Sequence, residues 1–123
     1  MKRAGSRNVL GGPLKPCSVS PMTGYFRNGS CETCAADAGC HTVCVEVTEE
    51  FLKFSAAAGN DLSSPRPELD FPGLQPGDRW CVCALRWLEA VQAGAAAPVS
   101  LASTHARTLG VVPLDVLEAH ATA

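Results

Sequence analysis

Aromatic side chains are scarce in this chain, only 6% of 123 residues, and charged ones are sparse at 18%. Ten basic residues stand against twelve acidic ones, for a formal net charge of -2. No basic field exists to neutralise phosphates, so a nucleic acid partner is not expected. No run of about 18 apolar residues occurs, so no membrane partner is expected either. A secretory signal needs an unbroken apolar stretch, and Lys2, Arg3, Arg7, Gly11, Gly12 and Lys15 interrupt every candidate. A soluble, cytoplasmic protein is the expectation. Also missing are a serine nucleophile elbow, a P-loop, a dinucleotide fingerprint and an H-E-x-x-H zinc helix.

What the chain does hold is sulfur. Seven cysteines are an odd number, so a complete set of internal bridges is excluded. In a reducing cytosol the expected roles are buried structural thiols, a metal site or a reactive thiol pair.

Residues 1–7 carry three basic side chains and almost nothing apolar, which predicts a disordered tail before a single domain at 8–123. From Asn8 to Gly29 the prolines and glycines allow only irregular or short extended structure, with a tight turn at Asn28-Gly29. HTVCVEV at 41–47 alternates, placing Val43, Val45 and Val47 on one face and Thr42, Cys44 and Glu46 on the other, the signature of a strand. Thr48 as N-cap, Glu49 and Glu50 in the first turn and Gly59 as a stop predict a helix over 48–58.

Gly59 to Arg79 holds four prolines and is read as a long ordered loop, with Phe71 and Leu74 buried against the body. Residues 79–83 predict a strand. ALRWLEAVQAG then predicts a helix facing inward through Ala84, Leu88 and Val91, with Trp87 beside them. Further strands are expected at 98–103 and around Val111-Val112, and a last helix at 113–121 with Pro113 in its first turn. The expectation is an α+β fold, a small mixed sheet with about three helices.

The densest chemical constellation is CETCAADAGCHTVC, which brings Cys31, Cys34, Cys40, His41 and Cys44 into fourteen residues. Thiolate and imidazole ligands at two-residue gaps suit tetrahedral Zn²⁺, although Cys44 falls inside the strand and no second C-x-x-C follows at finger spacing. A redox reading of Cys31-x-x-Cys34 needs a following helix, and AADAG is a weak one. Core packing is the bland alternative for Cys44, Cys81 and Cys83. Cys81 and Cys83 share one strand face. If their strand neighbours 42–47, that face and the Cys44 face coincide, and a sulfur of Cys17, Cys31 or Cys44 lies within roughly 8 Å of Cys81 or Cys83. His41 and His105 are candidate bases for a cysteine nucleophile. Asp61, Arg66, Asp78 and Arg79 border the long loop, where charges orient a ligand or, more often, make loop salt bridges or cap turns.

Six blocks carry a resemblance: NVLGGPLKPCS at 8–18, TGYFRNG at 23–29, HTVCVEVTEEFLKFS at 41–55, GNDLSSPRPE at 59–68, FPGLQPGDRWCVCALRWLEA at 71–90 and THARTLGVVPLDVLEAHA at 104–121. Together they resemble the DUF2237 family of small bacterial proteins, a family without an established activity. The resemblance implies that Asn60, Asp61 and Asp78 are family positions, and that Cys34 and Cys40 stand where the family usually has other residues. It leaves Cys17, Cys31, His41, Cys44, Cys81, Cys83 and His105 as the candidate cluster. Asn60, Asp61 and Asp78, together with the loop-border Arg79, are the expected loop ligands. The expected function is a binding or structural role for an unidentified ligand or protein, with no cofactor. A cysteine-dependent enzyme or redox protein, and a structural zinc protein, are the alternatives.

Overall fold

A computed structural model describes residues 6–69 and 71–122. The order is β1 (His41–Glu46), α1 (Glu49–Ala57), a 3₁₀ turn (Pro67–Leu69), β2 (Arg79–Cys83), α2 (Ala84–Gln92), two further 3₁₀ turns (Leu101–Ser103 and Ala106–Gly110) and α3 (Leu114–Ala119). The fold is α+β. Its sheet is a single antiparallel pair rather than a mixed one, with Cys44 opposite Cys81, Val45 opposite Trp80 and Glu46 opposite Arg79.

The strand expected at 98–103 reduces to isolated bridges from Val99, one antiparallel to Val45 and one parallel to Ala121. The reason is local. The Ser100 amide donates to the Cys44 carbonyl at 2.8 Å, but the outward amide of Cys44 donates to the Thr104 hydroxyl at 3.1 Å instead of to a backbone carbonyl. A side chain takes the next rung, the ladder stops, and the chain turns. No strand forms at Val111-Val112, where Val112 packs into the core beside the 3₁₀ turn. The opposite edge is closed the same way, the Cys81 amide donating to the Thr23 hydroxyl at 2.8 Å.

α1 starts where Thr48 accepts the Phe51 amide at 3.1 Å, and Gly59, at φ +92°, carries the chain out of it. α2 buries Ala84, Trp87 and Ala90, so its inward stripe runs through Trp87 rather than through Leu88 and Val91, which are half-buried beside it. The indole follows from chemistry: its N–H donates to the Ala97 carbonyl at 2.9 Å, which lets the largest side chain sit fully buried. Pro113 lies at the N-cap of α3, one position before the first turn. Phe71 and Leu74 are 8% and 2% exposed, and the Leu74 amide donates to the Leu62 carbonyl at 2.8 Å, tying the Pro-rich loop to the body.

Of the tail expected at 1–7, residues 1–5 lie outside the described residues. Ser6 bonds Glu32 through its hydroxyl, and the Arg7 carbonyl accepts the Ala106 amide at 2.8 Å. The irregular segment before β1 is held by side chains. The Asn8 amide group donates to the carbonyls of Pro13 and Ala102, both at 3.0 Å, while its oxygen accepts from Leu10 and Gly12.

Candidate functional site

The strand register sets the sulfur chemistry. Cys44 and Cys81 face each other across the sheet, and each is bonded to a cysteine of the irregular segment: Cys17 to Cys44 (Cα atoms 5.8 Å apart) and Cys31 to Cys81 (5.4 Å). The expected coincidence of faces is present. The expectation that the chain carries only thiols is not, since four of the seven cysteines are paired. Their partners lie 27 and 50 residues apart, spacings that no local motif reveals. The four residues are 0–4% exposed and form their own buried cluster, in which the sulfurs of Cys17, Cys31 and Cys81 lie within 4.8 Å of one another. The Arg79 guanidinium reaches the Cys44 sulfur at 3.5 Å.

Cys34, Cys40 and Cys83 are free. Cys31 is bonded away from Cys34, so the C-x-x-C pair does not form, and Cys40 contacts the Thr42 hydroxyl at 3.4 Å.

One irregularity decides where His41 points. Strict alternation puts His41 on the valine face, but the register shifts between His41 and Val43, so that His41 pairs with Cys83 while Val43 pairs with Val82. Thr42 is the extra residue, and a bulge of this kind turns the side chain before it to the other face. The bulge is anchored: the Thr42 carbonyl accepts the His105 amide at 2.9 Å and its hydroxyl meets that of Thr108 at 2.7 Å. His41 thereby joins the face of Cys81 and Cys83.

The His41 ring is held from behind by Asp37, whose side chain is fully buried. Nδ1 lies 2.7 Å from Oδ1, while the other oxygen accepts the His41 amide at 2.9 Å and the Thr33 hydroxyl at 3.0 Å. Burial pushes the Asp37 carboxyl up, and the hydrogen bonds from the His41 ring, the His41 amide and Thr33 outweigh it, so the group titrates below the usual carboxylate value. As a carboxylate it accepts a hydrogen bond from Nδ1–H, which assigns Nε2 as the free ring nitrogen. Sequence reading missed Asp37. Its only trace is a carboxylate four residues before His41 across a Gly-containing turn.

Cys83 ends β2 and is the N-cap of the nine-residue α2, where its side chain makes no capping bond. Cys83 and His41 both line a cavity of about 630 Å³ beside β2. Among the described residues its walls include Tyr25, Phe71 and Trp80 and three guanidinium groups, Arg27, Arg66 and Arg86, against a single carboxylate, Asp61. Arg27 stacks on Trp80, 5.1 Å from the ring centroid, and donates to the Gly24 carbonyl at 2.7 Å. Arg86 donates to the Ala58 carbonyl at 2.9 Å. Asp61 accepts from the Ser63 and Ser64 amides and from the Ser64 hydroxyl, which donates at 2.6 Å and, as the leading cause, holds the carboxyl below its usual value.

The remaining expected residues divide. Asn60 lines the cavity with Asp61. Asp78 accepts the Gln75 amide at 2.9 Å and closes the Pro76-Gly77 turn, and Arg79 lies on the sulfur cluster. His105 serves the 3₁₀ turn at Ala106–Gly110, its Nδ1 accepting the Arg107 amide at 2.9 Å. Burial pulls its pKa below 6.5, against an opposing pull from Glu32. No described helix is long and apolar enough to cross a membrane. Compared with known families, residues 7–121 match the model of DUF2237, described as an uncharacterized protein conserved in bacteria. No curated protein matches the chain.

Proposed function

As a member of the DUF2237 family, a family without an assigned activity, the chain takes its function from its site alone, and we propose that the cavity beside β2 binds a small organic carboxylate. The observation that carries this reading is the charge inventory of the described lining: three guanidinium groups, of which Arg66 and Arg86 also meet the exposed carboxylates of Glu68 at 3.8 Å and Glu89 at 3.5 Å, against one lining carboxylate that is already engaged by Ser63 and Ser64. Planar guanidinium forks match carboxylates in pairs, and the aromatic wall takes the apolar part of the ligand. Titration calorimetry with glutarate is the test. Binding is expected, with about tenfold weaker affinity in Arg66→Gln, a change of about 1.4 kcal/mol. Equal heats for glutarate and its neutral diamide reject the reading.

A second reading belongs to the buried sulfurs. We propose that reduction of the two bridges leaves four thiols close enough to hold Zn²⁺, since three of the sulfurs already lie within 4.8 Å of one another and Arg79 supplies a compensating cation. Thiol counting separates the two states: three reactive thiols after denaturation without reductant mean bridges, and seven mean a chain that was reduced. The cytoplasmic placement is kept in this proposal, because buried bridges are shielded from exchange with small thiols. Trapping the thiols in freshly lysed cells, then counting them, checks it.

A further inference from the structure

Resting on the carboxylate-binding reading, we infer that Cys83 is a nucleophile for acyl transfer from esters or thioesters of small dicarboxylic acids, with His41 as its proton shuttle and Asp37 as the residue that positions His41. Three independent pieces of geometry meet here. The bulge at Thr42 places His41 opposite Cys83, where facing side chains have Cβ atoms about 4.5–5.5 Å apart. The buried Asp37 carboxylate holds Nδ1 at 2.7 Å, fixing the tautomer that leaves Nε2 free to accept a proton. Both residues line a cavity whose guanidinium groups offer an anchor for a second, anionic end of a substrate.

A structural role explains these features less well. Bulge, buried carboxylate and ring all serve a histidine whose side chain remains 43% exposed, so their combined effect is to present an imidazole and not to bury one. The free thiol beside it makes no capping bond to α2, and while the Ala84 amide donates to the Cys40 carbonyl at 3.1 Å, the Leu85 and Arg86 amides of that first turn have no side-chain acceptor. Such N–H groups stabilise an oxyanion forming next to the sulfur.

The step balances without a redox partner. His41 Nε2 takes the Cys83 S–H proton, and the sulfur adds to the carbonyl carbon. The tetrahedral intermediate then collapses with cleavage of the carbon–oxygen or carbon–sulfur bond to the leaving group, which departs as alcohol or thiol with the proton from His41. Cys83 is left as a thioester. Water, deprotonated by Nε2, attacks that thioester, releases the carboxylic acid and returns the proton to the sulfur. The net reaction is hydrolysis.

The test uses the 4-nitrophenyl monoester of glutaric acid beside neutral 4-nitrophenyl butyrate. Wild type is expected to release a burst of about one nitrophenolate per chain, with the glutaryl group mapped to Cys83 by peptide mass. Cys83→Ser removes the burst, and a variant carrying both Cys34→Ser and Cys40→Ser keeps it. His41→Gln, at a partly exposed ring, lowers the acylation rate by about 10²-fold or more. Asp37→Asn lowers kcat with little change in KM, the pattern of a group acting through His41. Acylation spread over Cys34 and Cys40, or an unchanged rate in His41→Gln, overturns the inference. Glutarate titrated into Cys83→Ser keeps the two readings apart: binding with no wild-type burst rejects the nucleophile alone, and a burst equally fast with the neutral ester rejects the carboxylate site alone.

Discussion

Besides the exposed Asp61, two residues titrate away from their ordinary values, and they act over different pH ranges. Asp37 titrates lower in the folded chain than its ordinary 3.8, so its contribution to stability is complete above that value and is lost as pH falls through the lowered one. Asp37→Asn is expected to cost about 2 kcal/mol near neutrality, the order of a broken buried charged hydrogen bond, with the gap to wild type closing below about pH 4. Urea midpoints measured against pH read this directly. His105 is a base with a lowered value, so the unfolded chain binds its proton first and stability declines as pH falls below 6.5. A proton-resolved NMR titration should put its midpoint below 6.5. Glu32→Gln should move it lower still, because the Glu32 charge pulls the other way. Neither residue's role was legible in sequence. A histidine beside a threonine looks the same whether its ring caps a turn or faces a cavity, and a bulge of one residue decides the matter for His41.

Among the elements, those set by local chemistry were legible and those set by distant partners were not. Thr48, Glu49, Glu50 and Gly59 bound α1 within a residue, and the strand expected over 79–83 forms at those residues. The expected strand at 98–103 failed because its rung is taken by the Thr104 hydroxyl, a side-chain event that hydrophobic alternation does not encode. The Pro-rich loop is the element most open to test. Leu74→Ala should destabilise by about 2–4 kcal/mol, the usual range for a buried leucine, and a denaturation midpoint that stays put would show that the loop does not pack. Trp87 should resist acrylamide quenching in the native state, since its ring is sealed between α2 and the Ala97 carbonyl.

For the whole molecule, the two bridges do what regular structure does elsewhere. Residues 6–40 contain no helix and no strand ladder, yet they are stapled to both strands of the sheet through Cys17 and Cys31. Closing loops of 27 and 50 residues stabilises by about 3–4 kcal/mol each on chain-entropy grounds, though the two effects overlap. Such a sum is of the order of a small domain's entire stability. Full reduction should therefore lower the melting temperature steeply, and a reduced chain that melts unchanged would place the stability in the hydrophobic core alone. The sequence displayed the sulfurs but not their pairing, because seven cysteines do not reveal which four pair, and even those four admit three connectivities.

That pairing is interleaved: in chain order Cys17, Cys31, Cys44 and Cys81, the first is joined to the third and the second to the fourth. A single backbone cut anywhere from residue 18 to residue 80 consequently leaves at least one bridge spanning the break. The exposed stretch at 63–69 offers a protease its opening, and the nicked product remains one covalent molecule, its halves parting on a denaturing gel only once reductant is added.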